Sequence, residues 1–267
     1  MGMQEKVPDS SVDLVFTDPP YGIKGDKLDA HYLREEQFVV PGYIEVPLED
    51  YQEFSLGWIR EVERCLRPGG SVYIVSGYTN LHHILNALHA TNLEEINHLI
   101  ASYTFGVYAK RKWVSSHYHV LYWSKPPNSK RTFNHQCRFL ESSESYKDRL
   151  SVQALKREYK PQQIKNKNQL PESMIDKFIL YSSNRGEMVM DPFAGSFSTG
   201  RSALRYGRHF IGFEKNPHAV LTFAPSLNSI KVVSKPRAIK PSTALVERRQ
   251  KMRESWKAKR LRDKGGF

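Results

Sequence analysis

"EMVMDPFAGSFSTGRSALRYGRHFIGFE", Glu187–Glu214, is the stretch that decides the fold. The apolar run "MVM" ends on Asp191, a glycine-containing turn follows, and "SFSTGRSALRYG" has helical spacing. "RHFIGFE" is then a second apolar run, ending on Glu214. Strand, turn, helix and strand in that order make one unit of a parallel sheet, in which ligands collect at the carboxyl ends of strands. Backbone N–H groups at the helix start favour a carboxylate or phosphate. Glu214, about 20 residues beyond the turn, can accept both ribose hydroxyls of an adenosine-containing cofactor. GxGxxG is absent, and a glycine turn before a helix also occurs for packing alone. The stretch by itself leaves both readings open.

Upstream, "SVDLVF" (Ser11–Phe16) reads as a short buried strand. "YQEFSLGWIREVERCLRPGG" reads as a helix with Phe54, Trp58, Ile59, Val62 and Leu66 at helical spacing, stopped by "RPGG" at 67–70. "SVYIVS" is a second buried strand and "NLHHILNALHATN" a helix; "LIASYTFGVYA" and "HYHVLYWS" are β-like. Residues 125–160 are polar and weakly periodic, which reads as a loop-rich insertion. "LPESMIDKFILYSS" is an amphipathic helix with Pro171 near its start and Ile175, Phe178 and Ile179 facing inward. After Glu214, a weak strand is expected at "SIKVV" (229–233), then a charged, helix-prone tail. Short continuous apolar strands alternating with helices predict an α/β fold: a mostly parallel sheet with helices on both faces.

At 267 residues the chain can bury one substantial core. No apolar run reaches the ~20 residues of a membrane helix, and the start lacks the apolar segment of a signal peptide. Cys65 and Cys137 make no disulfide framework, so a reducing, cytoplasmic setting and no membrane partner are expected. The formal charge is +12. Thirteen Lys or Arg against three Asp or Glu fall in residues 231–267, which leaves +2 for residues 1–230. That tail suits a polyanion, and equally a solvated, frayed end.

The second polar cluster is "TDPPYG", Thr17–Gly22, directly after the first strand. An exocyclic amine on a nucleobase is a poor nucleophile because its lone pair is delocalised into the ring. Acceptors aimed at its two N–H groups pull it toward sp³ geometry. Asp18 can accept one, and the carbonyl of Pro19 the other, since Pro19 and Pro20 hold the turn at fixed φ. Tyr21 offers a face for a flipped-out base. Asp-Pro-Pro alone also reads as a simple turn.

Taken together, these motifs resemble those of the S-adenosylmethionine-dependent amino-group DNA methyltransferases of the β group. "TDPPYG" is similar to that family's catalytic motif, "MDPFAGSFSTG" to its cofactor motif, usually DPFxGSGTT, and "GRHFIGFEKNP" to its next strand, while "NQLPESMIDKFILYSS" resembles the helix before the cofactor strand. The resemblance implies a Rossmann-like methyltransferase fold and direct methyl transfer without a metal. The substrate it implies is the N6 amine of adenine in double-stranded DNA; cytosine N4, an RNA base, or a DNA-binding protein that has lost the chemistry, are the alternatives. It implies Asp18, Pro19, Pro20 and Tyr21 as catalytic, and Asp191, Pro192, Phe193, Ala194, Gly195, Ser196, Glu214 and Asn216 as cofactor-binding. The expected partner is duplex DNA with a flipped target base, homodimerisation is left open, and a prokaryotic or phage-encoded enzyme is expected. The implied organisation is a methyltransferase domain over 1–230, with catalytic half 1–124, recognition insertion 125–160 and cofactor half 161–230, followed by the basic tail 231–267.

Lys24, Lys125, Lys130, Arg131, Lys156 and Arg157 are the candidate DNA contacts, because basic residues between the two halves fit phosphates. Lys24–Gln37 reads as a loop able to close over a flipped base. His117 with His119, and His135 with Cys137, lack the four-ligand spacing of structural zinc. Two departures from the family stand out. Phe197 occupies the second glycine of GSG, where φ > 0 would be costly for a phenylalanine. If the backbone there is helical instead, the ring simply packs. The family's strand ending in Gly-Asp is also not seen before "SVDLVF", where "MGMQEKVPDSSVDL" reads as its tail; either the start is trimmed, or another segment, with "SIKVV" the candidate, replaces the edge strand.

Overall fold

Alternating apolar runs and amphipathic stretches assemble into a seven-stranded sheet in the computed structural model, which describes residues 2–22, 46–104, 110–136, 147–155, 170–233 and 254. The strands are β1 (Val12–Thr17), β2 (Leu66–Ser76), β3 (Glu94–Ser102), β4 (His117–Ser124), β5 (Val152–Ala154), β6 (Met188–Asp191) and β7 (His209–Gly212), in the spatial order β5-β3-β4-β2-β1-β6-β7. All neighbours pair parallel except β4, which runs antiparallel to both β2 and β3. The expected mostly parallel α/β sheet is therefore present.

Strand alternation divides the core into two faces. Val15, Ile74, Leu121, Trp123 and Met190 pack against α2 (Tyr51–Cys65) and α3 (Leu81–His89). Leu14, Phe16, Tyr73, Val75, Val120, Tyr122 and Val189 pack against α4 (Glu172–Ser182) and, through Ala203, α5 (Ser198–Arg205). Helix α2 buries Tyr51, Ser55, Trp58, Ile59 and Val62, so its stripe recurs every three to four residues. On the other face Tyr73 stacks on Tyr122 at 4.2 Å, and its hydroxyl lies 2.7 Å from Ser182 Oγ. Helices α4 and α5 are joined by polar groups: Glu172 pairs with Arg201 and Arg205, and buried Asp176 accepts from Ser202, Arg205 and Tyr206.

Four local expectations are corrected. The segment "RPGG" does not stop α2, which ends at Cys65; it belongs to β2, as a bulge that shifts the β1–β2 register between Val12 and Leu14. Gly69 takes φ 78° there, and a Cβ would stand 2.5 Å from the Lys130 carbonyl carbon, so only glycine fits. Strand β3 begins at Glu94, upstream of the expected run. "SIKVV" is not a strand: a 3-10 segment (Ala224–Ser229) follows α6 (Pro217–Phe223), and Val233 N–H donates to Arg205 O at the end of α5. The start is the five-residue helix α1 (Gly2–Lys6), not the tail of a strand. It docks where Arg64 donates to the carbonyls of Met3 and Val7, with Gly2 against the Phe213 ring.

Contacts divide the chain into one unit of 1–135 and 151–234 and another of 136–150 and 235–267. The first holds the whole sheet. Of the second, a short 3-10 turn at Lys147–Arg149 is described. Strand β5 falls inside the stretch read as loop-rich. The basic tail, apart from residues 231–233 and 254, and the loop 24–37 lie outside the described residues, as does Cys137. No described helix is long and apolar enough to cross a membrane.

Candidate active site

The strand order places the two polar clusters side by side. After β1 the chain builds β2 on one side of it, and later returns with β6 on the other. Ligand crevices of open α/β sheets form at such a switch in direction, outside the carboxyl ends of the strands. Strands β1 and β6 are in parallel register, Leu14 beside Val189 and Val15 beside Met190, so Asp18 and Asp191 emerge at the same rim. Asp191 pairs with Gly212 of β7, two residues before Glu214. Three carboxylates thus end three adjacent strands.

Asp191 is buried and fully engaged: it accepts from Thr17 Oγ1 at 2.8 Å, Thr199 Oγ1 at 2.7 Å and Phe193 N–H at 3.1 Å. Burial pushes its carboxyl up to about 6, opposed by those three hydrogen bonds and assisted by the charge of Glu214. Its role in the described geometry is to pin the β6–α5 turn to β1. Asp18 accepts from the Tyr21 hydroxyl at 2.7 Å. Burial pushes its carboxyl up to about 7; the Tyr21 hydrogen bond lowers it, and the nearby Asp191 raises it further.

The turn after Asp18 is held from outside. Tyr51, at the start of α2, donates to Pro20 O at 2.7 Å. Asn80, just before α3, donates to Tyr21 O at 2.7 Å and Gly22 O at 3.0 Å. The Tyr21 ring lies beside Gly77 at the end of β2. Successive carbonyls of the turn are therefore claimed, while that of Pro19 accepts no hydrogen bond among the described residues.

On the cofactor side Glu214 reaches back to accept from Gly195 N–H and Asn216 N–H, each at 2.7 Å. Each carboxylate oxygen keeps a second lone pair, which suits hydroxyl donors. Asn216 caps α6 through His218 N–H, and Ser196 bonds Ser198 Oγ while Arg201 takes its carbonyl. Phe193 packs edge-on against Trp58 at 5.3 Å and beside Phe54 at 5.7 Å. Ala194 and Pro192 are buried in the same turn. An aromatic wall, a small-residue turn and a carboxylate with spare acceptor capacity fit an adenosine-type cofactor.

Phe197 resolves the question its sequence position raised, because both alternatives hold in part. Its backbone is left-handed, φ 59° and ψ 28°, and its ring is buried with Ala194, Ala219 and Phe223. Left-handed backbone costs about 1–2 kcal/mol for a residue with a Cβ, and burial of the ring offsets it. Phe197→Gly should therefore lower stability by about 3 kcal/mol, since losing a buried Phe costs ~3–5 and the strain relief is partly cancelled by glycine's chain entropy. A thermal melt checks this; an unchanged or raised Tm would mean strain outweighs packing.

The predicted catalytic residues come together, and so do the predicted cofactor residues. Of the predicted DNA contacts, Lys125, Lys130 and Arg131 are described, and they lie apart from Asp18. Lys125 donates to the carbonyls of Glu63 and Arg64 at the end of α2, and Arg131 bonds the Tyr122 hydroxyl while lying over its ring. Strand β4 ends at Ser124, paired with Ser71 at the start of the regular part of β2. Lys125, which pairs with Gly70, thus sits at the opposite rim from Asp18, about 16 Å away along the strands at ~3.3 Å per residue, with the Lys130 backbone against Gly69 at the same end, while the Arg131 side chain lies on the sheet face at Tyr122. Lys24, Lys156 and Arg157 lie outside the described residues. Sequence reasoning missed Thr17 and Thr199, which lie inside the quoted motifs without being singled out, and Tyr51 and Asn80, which carry no local signal. His98 and His119 lie 2.8 Å apart, nitrogen to nitrogen, and burial with His98 and His117 nearby lowers His119 to about 4. No cluster of three metal-ligating side chains occurs among the described residues.

The sequence profile of the N6/N4 methyltransferase family, described as DNA methylase, matches residues 12–224. Type II methyltransferase M.HinfI of Haemophilus influenzae is 27% identical over 246 residues; the match takes in 84% of this chain and 65% of that protein. The chain thus spans just under two thirds of that relative's length. DNA adenine methyltransferase YhdJ of Escherichia coli K12 is 32% identical over 239 residues, 79% of this chain and 74% of that protein. The crystal structure of the M1.HpyAVI–SAM complex matches with a TM-score of 0.59 at 22% identity, covering 84% of this chain and 91% of that one, a likeness of fold.

Proposed function

The chain belongs to the N6/N4 DNA methylase family, and from that premise we propose that it methylates the exocyclic N6 amine of adenine at a specific site in double-stranded DNA, with S-adenosyl-L-methionine as donor. The adenine assignment follows the relative whose name specifies adenine, 32% identical to this chain. The observation that carries the chemistry is the geometry after β1. Asp18 is an acceptor at the sheet rim, and the Pro19 carbonyl is left open while Tyr51 and Asn80 hold the carbonyls that follow it.

S-adenosylmethionine supplies an electrophilic methyl group on a sulfonium. The chain's own residues prepare the amine. Ionised Asp18 accepts one N–H of the flipped base and the Pro19 carbonyl accepts the other, which localises the lone pair on nitrogen. The Tyr21 hydroxyl steadies the Asp18 carboxylate, and the ring offers a stacking face. Glu214 accepts ribose hydroxyls, and Phe193, Ala194 and Gly195 line the cofactor turn. Because Asp18 and Asp191 rise from adjacent strands, β1 and β6, and Thr17 ties them together, amine and donor are held in fixed relation, which supplies much of the acceleration. The excess proton leaves the methylated amine for solvent, directly or through Asp18.

Expression in a host free of DNA methylation, followed by methylome sequencing, tests this. The expected result is N6-methyladenine at one short motif. N4-methylcytosine would move the target base, and an unmodified genome with tritium-free DNA in vitro would favour a DNA-binding protein without the chemistry.

A further inference from the structure

The hairpin between β3 and β4 carries charge and an aromatic ring that the site above leaves unused. Its stem closes where Tyr103 N–H donates to Ser116 O at 2.8 Å. Strand β3 ends, and β4 begins, at the Asp18 rim: Ser102 pairs with His117, and Ser76 at the end of β2 pairs with His119. Beyond the stem lie Lys110, Arg111, Lys112 and Trp113, all exposed. Trp113 is 95% exposed, whereas Trp58 and Trp123 are 6% and 2% exposed. No described residue forms an ion pair or hydrogen bond with the three cations, or a ring contact with Trp113.

A lone exposed tryptophan behind three unpaired cations adds nothing to the fold, and it matches an anionic, stackable partner. Reach supports one. Strand β4 stands two places from β1, about 10 Å at ~4.8 Å per strand, and the register sets Asp18 level with Val120, so His117 lies about 10 Å further along the strand and about 14 Å from Asp18. Trp113 is four residues before His117, at most about 14 Å more, and so lies within about 28 Å of Asp18, little over two major-groove widths of ~12 Å. The rim itself carries Asp18, Asp191 and Glu214, which repel phosphates, so a duplex must be held from the flank. Lys125 lies at the other rim, and Arg131 is engaged by Tyr122 on the sheet face. Extruding a base also leaves a gap in the stack, and a ring entering it recovers part of the lost stacking.

We propose that Lys110, Arg111 and Lys112 bind phosphates beside the target nucleotide and that Trp113 enters the base stack where the target base leaves it. This rests on the DNA methylation proposed above. The test uses the full chain and a duplex carrying the site mapped by methylome sequencing, with 2-aminopurine as the target base. Wild type should raise the 2-aminopurine fluorescence. Trp113→Ala, with an unchanged Tm, should bind this duplex about tenfold more weakly (about 1.4 kcal/mol) and give a smaller fluorescence rise, with S-adenosylmethionine affinity unchanged. Trp113→Phe should restore most of both. The deficit should shrink when the target base is mismatched, since such a base is already loosened. Replacing Lys110, Arg111 and Lys112 by Ala should reduce the salt slope of log K by about 2–3, at ~0.9 per phosphate contact.

Trp113→Ala binding and flipping like wild type would overturn the assignment of the ring, and an unchanged salt slope that of the cations. A variant with intact DNA binding but less dimer would assign Trp113 to a second copy of the chain and also overturn it. If wild type neither binds nor methylates duplex DNA, the functional reading fails first and takes the hairpin's role with it.

Discussion

Asp18→Asn should bind S-adenosylmethionine and duplex DNA as wild type does, yet transfer methyl groups about 10²–10³ times more slowly, the loss typical of removing one preorganised electrostatic partner. The amide keeps the shape and one acceptor but loses the charge that stabilises the developing ammonium. Tritium transfer from labelled S-adenosylmethionine to DNA reads the effect; equal counts from the two proteins would sink the role given to Asp18. The carboxyl sits at about 7 in the free protein, raised chiefly by burial. Since the ionised form is the useful one, kcat/KM should climb as pH rises through 7 and level off above it. The stability consequence has the opposite sign. A folded-state pKa near 7 against an ordinary 3.8 means the folded chain holds the proton more tightly, so the stability this group contributes is full below about 3.8 and is lost as pH rises toward 7. Asp18→Asn should accordingly melt higher than wild type at pH 8, with the gap closing toward pH 4. A lower Tm at pH 8 would show that the Tyr21 hydrogen bond outweighs the cost of the buried charge.

Glu214→Ala should weaken S-adenosylmethionine binding by about two orders of magnitude, with little change in the rate at saturating donor. Two effects combine. The carboxylate would no longer accept ribose hydroxyls, and charged hydrogen bonds are worth ~1.5–3 kcal/mol each. The Gly195 and Asn216 N–H groups would also lose their shared acceptor, which loosens the turn and the start of α6 together. Glu214→Gln keeps one acceptor oxygen and should fall between. Isothermal titration of both variants checks the order. A Glu214→Ala protein with wild-type affinity would remove Glu214 from the cofactor site and leave it as a clamp on the turn.

Much of the site could be read along the chain because its parts are local. Each strand is a short apolar run, and each ends on a polar residue that a core would not choose: Asp18, Asp191, Glu214. Phe197 was recognisable as a conflict between side chain and backbone, but not its outcome, since Ala219 and Phe223, which cover the ring, come from a later helix. "SIKVV" has strand composition yet forms none, because the chain beyond α6 turns back to the end of α5. "RPGG" has the composition of a helix stop and instead makes a bulge inside β2.

By itself, the sequence determined the class of fold, the two polar strand ends and the chemistry they suggest, since periodicity, turn residues and strand termini are properties of neighbouring positions. The tertiary structure decided everything that depends on which rim a residue reaches. Strand β4 runs against β2, so the basic residues after it are carried away from Asp18 while the hairpin before it, with Trp113, is brought to the same rim. Return of the chain beside β1 set Asp191 next to Thr17, and α2 and α3 delivered Tyr51 and Asn80 to the catalytic turn. Strand direction and order are fixed by burial of both sheet faces against distant helices, a long-range condition that no short stretch of residues encodes.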